Sequence, residues 1–265
     1  MARSVARLLA SAALLATGVE AAQCTADSGA RRVPLLELYT SEGCDSCPPA
    51  DRWVSALSRR GLSVDRVVTL GFHVDYWNYL GWNDPYARSE YSARQRAASR
   101  RNQARVVYTP QLLLNGKDYR RGAYQDSIAD DVAAFNRRKP GARISMKANT
   151  GSAGMLSIEG MAFVPDATAR GDSRVYLVLY ENNLSTQVKA GENKGQHLRH
   201  DFVVRELAGP YPMDRSGAAP LHHHFRLGAS WKPAELHIAA FVQNERTGDV
   251  LQALAMPPCP HAGKS

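Results

Sequence analysis

The sequence predicts an α/β domain with a partly parallel sheet, followed by an antiparallel β-sandwich-like domain. Three observations carry this. Strand-like and helix-like segments alternate from Val33 to about Arg138. After Gly141 the helical period disappears and short alternating runs separated by Gly, Pro and Asn take over. A Cys-x-x-Cys pair, Cys44-Asp45-Ser46-Cys47, stands where the first strand gives way to the first helix. At 265 residues, 44% hydrophobic and 22% charged, the chain has ordinary globular composition and enough length for two cores.

Residues 1–23 carry Arg3 and Arg7 ahead of a short apolar stretch, Leu8 to Val19, and then Val19-Glu20-Ala21. This is the pattern of a signal peptide cleaved near Ala21, and it places the mature chain in the periplasm or outside the cell. No other apolar run approaches the roughly 18 residues of a membrane span, so the chain is expected not to span one. The formal charge is +8, with only seven lysines among its cations. An exported chain rarely meets nucleic acid, so none is expected as a partner, and a solvated basic surface accounts for the charge.

The elements then follow in order. Val33 to Thr40 is a β-rich run, and Pro49 to Gly61 is amphipathic and ends at a glycine. Asp65 to Asp75 reads as a second buried strand. A polar, aromatic-rich segment over 76–105 contains a helical stretch from Ser89 to Arg105. Val106 to Gly116 is a third strand interrupted by Pro110, and Gln125 to Lys139 is a clear helix. Strands are expected at 142–149, 154–164, 173–183, 200–208, 222–230 and 235–245, with a hairpin over 244–256 turning at Thr247-Gly248-Asp249. The domains are therefore 31–140, with 76–105 as an insertion, and 141–258.

A dithiol at a strand–helix turn suits redox chemistry, because backbone N–H groups and the helix dipole favour the attacking thiolate. Cys44 is then the nucleophile and Cys47 the resolving thiol. A structural zinc site would need a second ligand pair, and Cys24 and Cys259 stand alone near the two ends. Those two are expected to bridge each other, since chain termini often lie close and export permits oxidation.

The order strand, Cys-x-x-Cys, helix, strand, Thr109-Pro110 strand, hairpin partner, helix resembles the thioredoxin-like fold. In that fold a cis-proline after such a residue faces the cysteines, which makes Pro110 and Thr109 the substrate-docking segment. Longer strings narrow the resemblance: Glu37 to Asp51, Phe72 to Trp82, Val107 to Gln111, Gly191-Glu-Asn-Lys-Gly195 and His200 to Arg205. Together they resemble a bacterial, secreted, thioredoxin-like domain-of-unknown-function family, number 1223, over roughly Pro34 to Leu254. By this resemblance Glu37 lies under the cysteine pair and handles the proton of Cys47. Its alternative is an outward-facing strand carboxylate.

Three features depart from ordinary thioredoxins. Gly43 replaces the usual aromatic, which is expected to leave Cys44 more open. Asp45 opposes the thiolate. Pro48 and Pro49 fit only a first helical turn, which argues for a helix start near Ser46. His73 and Asp75 follow the second strand beside the site, and His73 either pairs with the thiolate or is a buried histidine satisfied by backbone. Trp77, with Tyr79 and Trp82, either walls a peptide groove or packs locally. Arg94, Arg101 and Arg105 read as a solvated helix face. In His222-His223-His224 only His222 and His224 share a face, and the run reads as a surface strand.

The leading expectation is an exported thiol–disulfide oxidoreductase acting on protein thiols or disulfides, with no cofactor. Alternatives are a soft-metal (copper) protein using Cys44, Cys47 and His73, or a non-catalytic scaffold.

Overall fold

The structure is a computed structural model that describes residues 23–120, 127–151 and 154–256. The expected leader lies outside the described residues except for Gln23, and so does Cys259. Within them the fold is mixed α/β and dominated by β-sheet.

Its spine is an eight-stranded sheet. Strands β2 (Leu35–Thr40), β3 (Val68–His73), β4 (Gln111–Leu114) and β5 (Lys117–Asp118) come from the first part of the chain. Strands β8 (Ser173–Glu181), β11 (Val203–Pro212), β13 (Leu236–Asn244) and β14 (Val250–Met256) come from the second. The order is β14-β13-β8-β11-β3-β2-β4-β5. The halves join where β11 runs parallel to β3, Val203 opposite Gly71. The expected boundary near residue 141 therefore does not end the sheet. It marks a change in what covers it.

One face of the first half is covered by α1 (Pro48–Ser55) and α3 (Ile128–Asn136) over Leu36, Leu38, Leu112 and Leu114. The same face of the second half is covered by a four-stranded sheet, whose order is β1 (Gln23–Asp27), β6 (Arg143–Thr150), β7 (Met155–Phe163) and β12 (Ala218–Arg226). The second region is thus a sandwich, but one of its layers is the shared sheet. On the opposite face α2 (Ser89–Arg101) lays Tyr91 and Ala98 over Tyr39, Phe72, Tyr176 and Phe241. Because β8 and β13 are buried on both faces, they read as continuous apolar runs although their pairing is antiparallel.

Most expected strands and helices are present. Three strands were not expected: β1, and the small separate ribbon of β9 (Leu184–Gln187) and β10 (His197–His200). That ribbon carries the turn 188–196 across the end of the large sheet where β2 and β3 finish.

Candidate functional site

The dithiol is built from the end of β2 and the start of α1. A tight turn brings the chain round, the Cys44 N–H donating to the Ser41 carbonyl and the Cys47 N–H to the Cys44 carbonyl, both at 3.2 Å. Helix α1 starts at Pro48, with prolines at its first two positions, where an N–H would have no helical acceptor. Cys44 and Cys47 form a disulfide, Cα to Cα 5.4 Å. Both cysteines are 0% exposed.

Burial overturns the expectation that Gly43 opens Cys44. A Cβ at Gly43 would stand 3.0 Å from the Trp77 Cβ, so the missing side chain admits Trp77 rather than solvent. The Trp77 indole N–H in turn donates to the Thr109 hydroxyl at 2.7 Å. The Thr109–Pro110 bond is cis, and Gln111 lies opposite Tyr39 in the β2–β4 register. Pro110 therefore precedes β4 at the end of the sheet from which Thr40 leads to Cys44, with Trp77 bridging the two segments.

The turn 188–196 closes the other side. Asn193, itself buried, donates from Nδ2 to the carbonyls of Glu42 and Cys44 at 2.9 and 2.8 Å. The Asp45 N–H donates to Glu192 Oε2 at 3.0 Å. A Cβ at Gly191 would lie 3.9 Å from the Gly43 Cα and 3.4 Å from the Trp82 Cβ. The Gly191 to Gly195 string and the Cys-x-x-Cys string, about 150 residues apart, are one contact surface.

Beneath the turn is a buried cluster of charge. The Asp84 carboxylate receives the His73 Nδ1–H at 2.7 Å and the Glu42 backbone N–H at 2.8 Å. Burial raises the Asp84 carboxyl, but attraction and hydrogen bonding from His73 outweigh it and hold it below the ordinary range. Glu42 accepts from His200 Nε2 at 3.1 Å and from the Trp82 indole at 2.9 Å. Asp51, on α1, accepts from the Thr40 hydroxyl at 3.0 Å and faces His200 Nδ1 at 3.5 Å. Burial lowers the His200 imidazole, yet Asp51 and Glu42 carry it up to about 10. The rings of His73 and His200 meet edge to face, centroids 4.9 Å apart.

The other expected site residues fall elsewhere. Glu37 is buried on the face away from α1, where it receives Arg94 Nε at 2.8 Å and the Tyr39 hydroxyl at 3.1 Å. Arg94 stacks between Phe72, Tyr176 and Phe241, 5.0–5.6 Å from their ring centres. Neither expectation for Glu37 holds, because side chains alternate along a strand and odd positions of β2 face α2. Nor is Arg94 on a solvated face, and Arg101 is half-buried against Glu245 at 3.1 Å. Asp75 receives the Ser92 hydroxyl and ties the 3₁₀ turn Asp75–Leu80 to α2. His73 pairs with Asp84 and groups with Asp51 and His200. It is not satisfied by backbone. Cys24 lies in β1, and its expected partner Cys259 is outside the described residues. In β12 His222 and His224 are exposed, while His223 turns inward against Tyr211 and Phe225.

Glu42, Asp51, Asp84, Asn193 and His200 received no role from sequence reasoning. The only signal was that four of them lie in, or at the end of, strings already singled out for their length. Asp84 had none. Larger concavities lie away from this chemistry, one over β1, β6 and β7 and the other between the end of β1, the segment that follows it and β14. Beside the cluster is a cavity of 170 Å³ lined by Pro48, Asp51, Arg52, Leu198 and His200.

Comparison with known proteins places this arrangement. The family described as protein of unknown function, DUF1223, matches residues 35–243, which contain every residue of the cluster. No curated protein matches. The crystal structure of a structural-genomics protein from Agrobacterium tumefaciens is similar at 26% identity and a TM-score of 0.59, over 88% of this chain and 98% of that one. HBP35 of Porphyromonas gingivalis is similar in fold, at 16% identity and a TM-score of 0.65, over 89% and 80% of the two chains. The match spans well over half of the sequence, and the chain belongs to the DUF1223 family.

Proposed function

We propose that the protein is an exported thiol–disulfide oxidoreductase of thioredoxin-like design, acting on protein thiols or disulfides. The carrying observation is the Cys44–Cys47 disulfide at the start of α1, linked through Trp77 to the cis Thr109–Pro110 segment. Parallel β2 and β3, antiparallel β4 and β5, and helices α1 and α3 on one face support the thioredoxin-like reading. The N-terminal sequence supports export. No helix among the described residues is long and apolar enough to cross a membrane.

The exchange balances without a cofactor. As reductant, the Cys44 thiolate attacks a substrate disulfide, forming a mixed disulfide and expelling one substrate thiolate. Cys47, once deprotonated, then attacks Cys44 Sγ, closing the 44–47 bond and releasing the second substrate thiolate. Oxidation of a dithiol runs these steps backwards. Helix α1 aims its N-terminal dipole at the pair, which stabilises the thiolate by roughly 0.3–1 kcal/mol. An extended substrate pairs with backbone beside Thr109. Since both sulfurs are buried, the turn 188–196 must move before a protein substrate reaches them.

The test is a Cys47→Ser variant exposed to periplasmic extract and resolved without reductant. Mixed disulfides through Cys44 are expected, absent from Cys44→Ser and released by dithiothreitol. Failure to form adducts, together with failure to exchange with glutathione, would sink the reading.

A further inference from the structure

We propose that Asp51, His73 and His200 form a buried site for one divalent transition-metal ion of the zinc class. His73 Nε2 and His200 Nδ1 have no hydrogen-bond partner, although their residues are 1% and 2% exposed. Buried ring nitrogens normally find a partner, and an orphan requires an explanation. One ligand atom from each of Asp51, His73 and His200 lies within 4.8 Å of the others, and these two nitrogens are the ones that the neighbouring carboxylates leave unused.

The surroundings prepare both imidazoles as ligands. Each has its other ring nitrogen against a carboxylate: His73 Nδ1 against Asp84 and His200 Nε2 against Glu42. A carboxylate in that place holds the N–H there, so the ion takes the opposite nitrogen and displaces any proton it carries, the arrangement that supports histidines bound to metal. The Thr40 hydroxyl holds Asp51 Oδ2, leaving Oδ1 for the ion. Among the described residues, every ion pair of Glu42, Asp51 and Asp84 goes to one of these two imidazoles, and none to Lys or Arg.

The dimensions suit a small ion. Tetrahedral zinc with bonds of about 2.0–2.1 Å separates its ligands by about 3.4 Å. The Asp51 Oδ1 to His200 Nδ1 distance is already 3.5 Å. That is long for a charge-assisted hydrogen bond of about 2.7–2.9 Å. The 170 Å³ cavity against Asp51 and His200 offers an entry path and room for a fourth ligand, such as water. Two imidazoles and a carboxylate favour zinc over softer ions, which take thiolates. The ion would join α1, β3 and β10, pinning the ribbon that covers the disulfide to the body of the protein.

The site contains no sulfur, so the test keeps the Cys44–Cys47 bond oxidised and does not depend on the redox reading. Mature protein is refolded with excess Zn²⁺, dialysed and assayed by atomic absorption, and parallel samples are loaded with Co²⁺. One zinc per chain is expected, with a visible Co²⁺ spectrum of nitrogen and oxygen ligands. Asp84→Asn should weaken zinc binding by roughly 10–100-fold. His73→Gln and His200→Gln should each weaken it further, while His222→Gln should leave it unchanged. The proposal falls if refolded wild-type protein holds no stoichiometric zinc, or if natively folded His73→Gln and His200→Gln keep it. Sulfur ligation in the Co²⁺ spectrum would overturn it equally. If a ligand variant fails to fold, the wild-type stoichiometry and spectrum still decide.

Discussion

Asn193→Ala should speed reduction of the buried disulfide without unfolding the protein. Asn193 Nδ2 makes two hydrogen bonds, 2.9 and 2.8 Å, to the carbonyls that flank Gly43. Each such bond contributes about 0.5–1.5 kcal/mol net, so their loss weakens closure of the turn 188–196 by roughly 1–3 kcal/mol. If reductant enters only when the turn is open, and opening is fast, the rate follows the open population. A loss of roughly 1–3 kcal/mol is then a gain of roughly 5–150-fold. The assay is pseudo-first-order reduction by dithiothreitol, followed by trapping of free thiols. Glu192→Ala removes only the exposed bond to the Asp45 N–H, a change within about 0.5 kcal/mol and hence about twofold in rate. A natively folded Asn193→Ala protein that is reduced at the wild-type rate would show that this turn does not guard the sulfurs.

Three further outcomes are expected. Arg94→Met strands Glu37 in the core and should cost about 3–5 kcal/mol in urea unfolding, while Glu37→Leu combined with Arg94→Met should recover most of it. The rate of disulfide reduction should stay unchanged in the double variant, whereas a catalytic Glu37 would slow it. His237 stacks on Tyr180 and accepts from Asn182 at 3.0 Å, and burial lowers its pKa although Glu235 pulls the other way. The unfolded chain therefore takes this proton more readily, so stability is complete above about pH 6.5 and is lost as pH falls towards the folded value. His237→Phe should flatten that part of the stability curve in acid titrations of unfolding. Gly116 has φ +80°, and a Cβ there would lie 1.9 Å from the Gly248 carbonyl oxygen. Gly116→Ala should lower the melting temperature by the equivalent of about 2 kcal/mol or more, combining the left-handed backbone with a forced shift of the neighbouring turn.

What the sequence made legible was local. The run Leu35 to Thr40, the cysteines and the helix after them carry their own periodicity and turn chemistry, and so does the periodicity change near residue 141. The pairing of β11 with β3 has no such signature, because a parallel contact between distant segments depends on how both halves pack. Glu37 misled for a related reason. A carboxylate in an apolar strand signals burial with a partner, but the partner, Arg94, is 57 residues away on a helix that reads as polar. Helix α2 reads as polar because it carries Arg94, Arg96, Arg100 and Arg101, and because its buried face sets Ser92 and Gln95, which hydrogen-bond there, beside Tyr91 and Ala98. His200 stands in a short strand whose residues alternate between exposed and buried, where alternation is visible but its destination is not.

The placement of the cluster follows from strand direction. Strands β2 and β3 run parallel and end together at Thr40 and His73, so the segments that leave them begin side by side. In sheets of this kind the ends of parallel strands are where loops can converge on a ligand. Here that end is filled rather than open: Trp77 and Trp82 pack against the cysteine turn, and the ribbon of β9 and β10 crosses it. Filling it brings Glu42, Asp51 and Asp84 into a dry region, where each carboxylate is costly unless paired. The two histidines supply that pairing, one from β3 and one from the ribbon. Weakening the pairs that His200 makes with Glu42 and Asp51 should therefore loosen the ribbon as well as the cluster. The cover over the disulfide and the charge beneath it are one mechanical unit, because His200 and Asn193 belong to the same excursion of the chain.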